Sequence, residues 1–248
     1  MNKKITIIAF VILTWLLNVQ IIHGTNQFRT EVAISYNFDH KTCFPWSWYR
    51  SPSSASTKTF KEKYKPDVNN AIRTFSSKYP KKFLKSHLKG VYLFDELSFY
   101  NANFGATYYD DKIYVRYNPE DYTDRTSLTV KQLHHELSSV LMKKYSFPRR
   151  EWINSNNGQY VSKNRGIDVL KALQTEGRDE GHYFFSRGFL TSYGSSDFEN
   201  DVNIYAEYLF VLPSRLNTIG KSYPSVAKKS NILKGYYCNI NNKFFFCK

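Results

Sequence analysis

Val130-Lys-Gln-Leu-His-His-Glu-Leu-Ser-Ser-Val-Leu-Met142 is the stretch whose reading decides the fold. Its apolar residues Val130, Leu133, Leu137, Val140 and Leu141 recur at steps of three and four, the pattern of one buried helix stripe. Ser127 or Thr129 stands where an N-cap belongs and Pro148 lies beyond the far end, so the spacing predicts a helix here. On this helix His134, His135 and Glu136 adjoin, and nowhere else in the chain do two histidines and a carboxylate meet.

A His-Glu pair entering a buried helix is the first half of the H-E-x-x-H pattern. In that pattern histidines at i and i+4 face one metal ion and the glutamate activates water. Four residues on from His135, however, stands Ser139. The other half of the pattern has therefore to be sought elsewhere in the chain, or has been lost.

Working outward, the N-terminus reads as an export signal. Lys3 and Lys4 precede an apolar run from Ile5 to Leu17, and His23-Gly24-Thr25 forms a cleavage zone, so residues 1–24 are expected to be removed. An uncleaved anchor is the rival reading of the same run. No later stretch is apolar enough to span a membrane, so no transmembrane segment is expected after signal removal, and the mature chain is expected to be secreted, periplasmic or extracellular. The remaining residues suffice for one domain with a sizeable core. With 20 Tyr and 19 Phe the chain is expected to fold rather than stay disordered.

Thirty-five Lys and Arg against 21 Asp and Glu give a formal charge of +14, which favours anionic surfaces as partners. The basic residues are scattered, and no helix is dense in them, so specific nucleic-acid recognition is not expected. Three cysteines in an exported chain leave one over. Cys238 and Cys247 bracket an expected hairpin turning at Asn241-Asn242, and a disulfide between them would staple the C-terminus; pairing of Cys43 with either stays open.

Organisation along the chain follows from the same rules. Residues 25–89 read as an N-terminal extension: a strand near Thr30–Tyr36, a loop through Cys43–Ser56, and helices after Asp67 and from Phe83. From residue 90 strands take over. Val91–Phe94 is apolar throughout, and Phe104–Tyr109 and Lys112–Tyr117 flank Asp110-Asp111 as a hairpin. Residues 147–166 read as loop and 166–173 as a short helix, and a second strong helix over Phe198–Val211, capped by Asp197, stops before Pro213. Strands running into helices predict an α+β domain over 90–248, with a small mixed sheet packed on two helices.

Two segments together resemble the gluzincin type of zinc metallopeptidase, in its lethal-factor-like and exported bacterial branches. They are Leu133-His-His-Glu-Leu-Ser-Ser-Val-Leu, and Leu190-Thr-Ser-Tyr-Gly followed by Asn203-Ile-Tyr-Ala-Glu-Tyr-Leu-Phe210. The resemblance implies a zincin-like fold over roughly residues 90–212, with zinc as cofactor and a protein or peptide as substrate. It implies His135 as a zinc ligand, Glu136 as general base and Tyr193 as the group that steadies the oxyanion. It places Asn203 where a metal-binding glutamate stands in the family and Glu207 at the later glutamate of E-x-F-A-E.

The departures weigh against that chemistry. Ser139 removes an imidazole and Asn203 replaces an anionic ligand by a neutral amide, whereas catalytic zinc takes three protein ligands plus water. A shifted ligand set remains as a reading, since Glu199, Asn203 and Glu207 share one helix face. His182 and His134 are further imidazoles, although His134 stands about 100° around the helix from His135. A Ser139 nucleophile beside His135 lacks the G-x-S-x-G turn that such a serine needs. Two functions are therefore expected as alternatives: an exported zinc-dependent peptidase, or a catalytically inactive zincin-like domain that binds an extracellular or envelope partner.

Overall fold

Strand β3, Gly90–Phe99, holds the molecule's sheet together. The computed structural model describes residues 32–36, 39, 41–121, 124–160 and 179–247. The expected signal over 1–24 and the helix expected at 166–173 lie outside these residues. In the first half of β3, Gly90–Phe94 pairs in parallel with β6, Lys112–Arg116, while β1, Ile34–Ser35, pairs in parallel with Val91 and Tyr92. The second half pairs antiparallel with β2, Ser56–Thr59, and with β4, Ala102–Asn103. β5, Ala106–Tyr109, closes the expected hairpin onto β6, with Asp110 at φ 53° in its turn. The sheet is thus mixed, in the order β1-β3-β6-β5.

Alternation along β3 and β6 sends side chains to two different covers. Val91, Leu93, Ile113 and Val115 join the main core under the helices. Phe94, Leu97, Phe99 and Tyr114 form a second core with Cys43 and Phe44, against which Trp48 and Tyr49 pack. The Tyr114 hydroxyl donates to the Cys43 carbonyl at 2.7 Å, fixing this cover to the sheet. The loop-like stretch around Cys43 is therefore the lid of a small aromatic core, and the Cys43 sulfur lies 3.5 Å from the Tyr49 hydroxyl.

The helices of the main core follow in chain order. α1 is Lys65–Ser76, α2 Phe83–His87, α3 Arg125–Lys144, α4 Arg149–Ile153, α5 His182–Phe185, α6 Phe198–Val211, α7 Pro213–Ser222 and α8 Pro224–Ile240. α3 packs on α1, α6 and the β5-β6 hairpin. It begins earlier than expected, because Asp124 rather than Ser127 or Thr129 is its cap, accepting from the Ser127 amide at 3.1 Å. α6 runs over the expected residues; the Asp197 carboxylate accepts from the Asn200 amide at 2.9 Å. Val32, Phe60, Ile72 and Phe75 share one core with Leu137, Phe210 and Tyr237.

The C-terminus corrects one expectation. Residues 224–240 form α8 and the chain then turns, so Cys238 sits on a helix and not on a hairpin strand. The Cys238–Cys247 disulfide is present all the same, and Cys43 is unbridged and buried. It closes a loop with a sequence separation of 9, short enough that its reduction should cost about 2–3 kcal/mol. Denaturant melts of Cys238→Ser/Cys247→Ser against the parent measure this; equal midpoints would contradict it. Among the described residues no helix is long and apolar enough to cross a membrane.

Candidate functional site

α3 and α6 lie against each other, and their facing residues make the site. His135 meets Glu207, with its Nδ1 2.9 Å from Oε1. One turn further along each helix, the Asn203 amide donates through Nδ2 to Ser139 Oγ at 2.7 Å. One turn further again on α6, Glu199 accepts from the Tyr108 hydroxyl of β5 at 2.7 Å. The spacing of four residues on both helices produces this ladder, because i and i+4 share a face. Tyr193 lies with its ring stacked on His135, centroids 5.8 Å apart at 19°.

Glu136 lies beside His135 at the same level and is almost wholly withdrawn from water. Burial pushes its carboxyl up to about 7; the His135 ring pulls it back, and the charges of Glu199 and Glu207 push it further up. In the metal-free protein this has a measurable consequence. A carboxyl with a raised folded pKa holds its proton more tightly folded than unfolded, so its contribution favours folding below the ordinary value of 4.5 and is lost as pH rises through about 7. Glu136→Gln should therefore match the parent near pH 5 and exceed its stability at pH 8 by on the order of 2–3 kcal/mol. Denaturant titrations at the two pH values measure the gap; a gap that does not widen with pH would contradict the assignment.

The other expected histidines fall elsewhere. His134, one residue and about 100° from His135, points into the core. Its Nδ1 lies 2.7 Å from the Tyr79 hydroxyl and its ring stacks on Phe210 at 4.8 Å and 4°. Burial drives its pKa down to about 3, so it is a neutral packing residue outside the site. His182 pairs with the Tyr223 hydroxyl at 3.0 Å. Neither supplies an imidazole to the ladder.

A second cluster, which the sequence reading did not assemble, props the site from behind. Asp201 and Lys229 are both fully buried and their Oδ2 and Nζ lie 2.5 Å apart. Trp152 Nε1 and the Tyr160 hydroxyl each donate to the same Asp201 oxygen at 2.8 Å. Lys229 also donates to the Gly188 carbonyl at 2.8 Å, and Tyr205 donates to that carbonyl at 2.9 Å. Gly188 has φ +85°, a conformation that favours glycine, and it starts the turn leading to Tyr193. The cluster thus anchors the start of the segment that leads to Tyr193. Tyr108 and Lys229 were invisible to periodicity because each reaches its partner from a distant element.

No protein-family model and no curated protein matches the sequence. Among solved structures, the chain is similar to a "putative zinc-binding metallo-peptidase" from Bacteroides caccae ATCC 43185, with TM-score 0.55 and 13% identity, over 91% of this chain and 84% of that one. The fold is zincin-like. The expected α+β arrangement of a mixed sheet against the two site helices is what the chain adopts.

Within this zincin-like frame the donor set can be tested against zinc. Catalytic zinc needs three ligands drawn from imidazole, thiolate and carboxylate. At the positions where the resemblance puts the second and third ligands stand a hydroxyl and an amide, bonded to each other. Glu207 holds His135 Nδ1 and Glu199 holds the Tyr108 hydroxyl. Among the described residues no group of three or more His, Cys, Asp or Glu is placed to hold a metal ion. The described residues do not fit zinc.

Proposed function

We propose that this chain is an exported, non-hydrolysing zincin-like domain that works by binding a protein or peptide partner outside the cytoplasm. The Ser139–Asn203 hydrogen bond carries the reading: at the two altered ligand positions the Asn203 amide donates to the Ser139 hydroxyl at 2.7 Å, a direct contact between the groups that stand in place of two ligands. The apolar run at Ile5–Leu17 supports export, and the charge of +14 supports an anionic partner surface.

A second reading, an active peptidase with a shifted ligand set, is favoured by the retained Glu136, with its carboxyl near 7, and by Tyr193 stacked on His135. A fluorogenic casein assay of the purified chain, run with added zinc and with chelator, separates the two. The binding reading expects no turnover in either condition. Zinc-dependent turnover lost in Glu136→Gln would overturn it.

A further inference from the structure

Positive charge is not spread evenly along the chain. No Asp or Glu stands between Asp67 and Asp95, between Glu136 and Glu151, or after Glu207. These three acid-free segments meet in the fold, joined by aromatic rings. Phe83 of α2 lies against Phe244, beyond α8, with centroids 5.0 Å apart, and stacks on His87 at 4.1 Å. His87 Nε2 lies 2.8 Å from the hydroxyl of Tyr145, the C-cap of α3, and Lys144 Nζ donates to the His87 carbonyl at 2.9 Å. Phe147, two residues on, packs on Tyr236 of α8 at 4.8 Å.

What this junction presents to water is basic and aromatic. Lys81, Lys82 and Lys85 flank Phe83, Lys143 and Lys144 precede Tyr145, and Lys243 precedes Phe244; all six lysines are exposed. Phe245 is 58% exposed and Tyr145 39%. Phe245 stands on a loop that is fixed on both sides of it. Phe244 is buried and stacks on Phe246 at 5.4 Å and 8°, and Cys247 is bonded to Cys238 of α8. The staple thus displays one apolar ring among lysines, in segments that supply no carboxylate of their own.

An anionic bilayer matches both features. Lysines gain from its negative surface potential, and an aromatic ring gains by entering the boundary between headgroups and acyl chains. A soluble polyanion uses the charge alone and leaves the ring in water. We propose that the face formed by α2, the end of α3 and the 241–247 loop docks on an anionic phospholipid surface, with Phe245 at headgroup depth and the lysines over the lipid phosphates. This docking goes beyond the binding proposed for the α3–α6 site and is independent of it, since none of these residues belongs to that site.

The test is co-sedimentation of the full chain with vesicles of phosphatidylcholine alone and of phosphatidylcholine mixed with phosphatidylglycerol, with heparin as a soluble polyanion for comparison. Binding to the mixed vesicles should be tighter than to phosphatidylcholine by more than about tenfold. Each lysine near an anionic surface is worth about fivefold, so Lys81→Gln/Lys85→Gln should weaken binding by about tenfold or more. Lys58→Gln/Lys63→Gln removes the same charge from β2 and from just before α1, and should weaken it by less than about twofold. Phe245→Ser leaves the charge unchanged and should weaken vesicle binding by about fivefold while heparin binding stays the same. All the substituted residues are exposed, so the core is left intact. Equal binding to the two kinds of vesicle, equal losses in the two lysine pairs, or vesicle binding unmoved by Phe245→Ser overturns the lipid-docking face. Loss of heparin binding in Lys81→Gln/Lys85→Gln, together with a silent Phe245→Ser, would mark a polyanion surface in its place.

Discussion

Changing Ser139 to His and Asn203 to Glu together should give a protein that takes up about one equivalent of zinc, where the parent takes up none tightly. The two positions face each other at 2.7 Å, and His135 stands one turn from Ser139 on the same face of α3. The double variant would therefore bring two imidazoles and a carboxylate to one point, leaving a fourth position for water. His135 is already oriented through Nδ1 by Glu207, the kind of outer contact that sets the ring of a zinc-binding histidine. Each single variant should gain far less, because two ligands do not make a zinc site. Titration against a chromophoric chelator gives the affinities; equal uptake by the double variant and the parent would show that these residues do not surround one point. Uptake without peptidase activity would still agree, since substrate binding has its own requirements.

Lys229→Met should be the most damaging single change outside the main core. It removes one partner of a buried ion pair and leaves Asp201 charged among Trp152, Tyr160 and Tyr205, at a cost of about 3–5 kcal/mol. Burial pushes the Asp201 carboxyl up and the Lys229 ammonium down, and each charge is kept in place by the other. Asp201→Asn/Lys229→Met removes both charges while an amide oxygen still accepts from Trp152 and Tyr160, and should recover much of the loss. Gly188 would lose one of the two donors to its carbonyl, so the turn bearing Tyr193 should loosen even where the fold survives. Denaturant melts give the stabilities and hydrogen exchange over residues 188–196 gives the loosening. A Lys229→Met variant within about 1 kcal/mol of the parent would contradict a charged pair at this position.

Much of the fold could be read from the sequence where an apolar stripe and a cap coincide. α6 showed both, with Asp197 before it and Pro213 after it, and its observed span is the expected one. α3 showed the stripe, but its first turn is built from Arg125 and Thr129, polar residues that are nevertheless buried, so its start was misplaced. α8 was missed for the same reason: Lys229 and Ser230 are buried in it and interrupt the apolar pattern, while Asn241-Asn242 suggested a turn between strands. The cover of the second core was unreadable because aromatic contacts such as Phe44 on Phe94, at 5.6 Å, join segments fifty residues apart and have no period.

The site divides in the same way. The i, i+4 spacings on α3 and α6 placed His135, Ser139, Asn203 and Glu207 on facing helix sides, and the one-residue step took His134 off that side. Spacing on one helix cannot say which residue of the other it meets. The pairings of Ser139 with Asn203 and His135 with Glu207, and the reach of Tyr108 to Glu199, needed the packed helices and hairpin.

The most direct test of a zincin-like fold without zinc is a metal measurement on the unmodified chain, purified without chelator and then titrated with zinc against a competing dye. The account predicts metal well below one equivalent as purified, and only weak uptake that His135→Ala leaves unchanged. One equivalent of tightly held zinc, lost on His135→Ala, would contradict it.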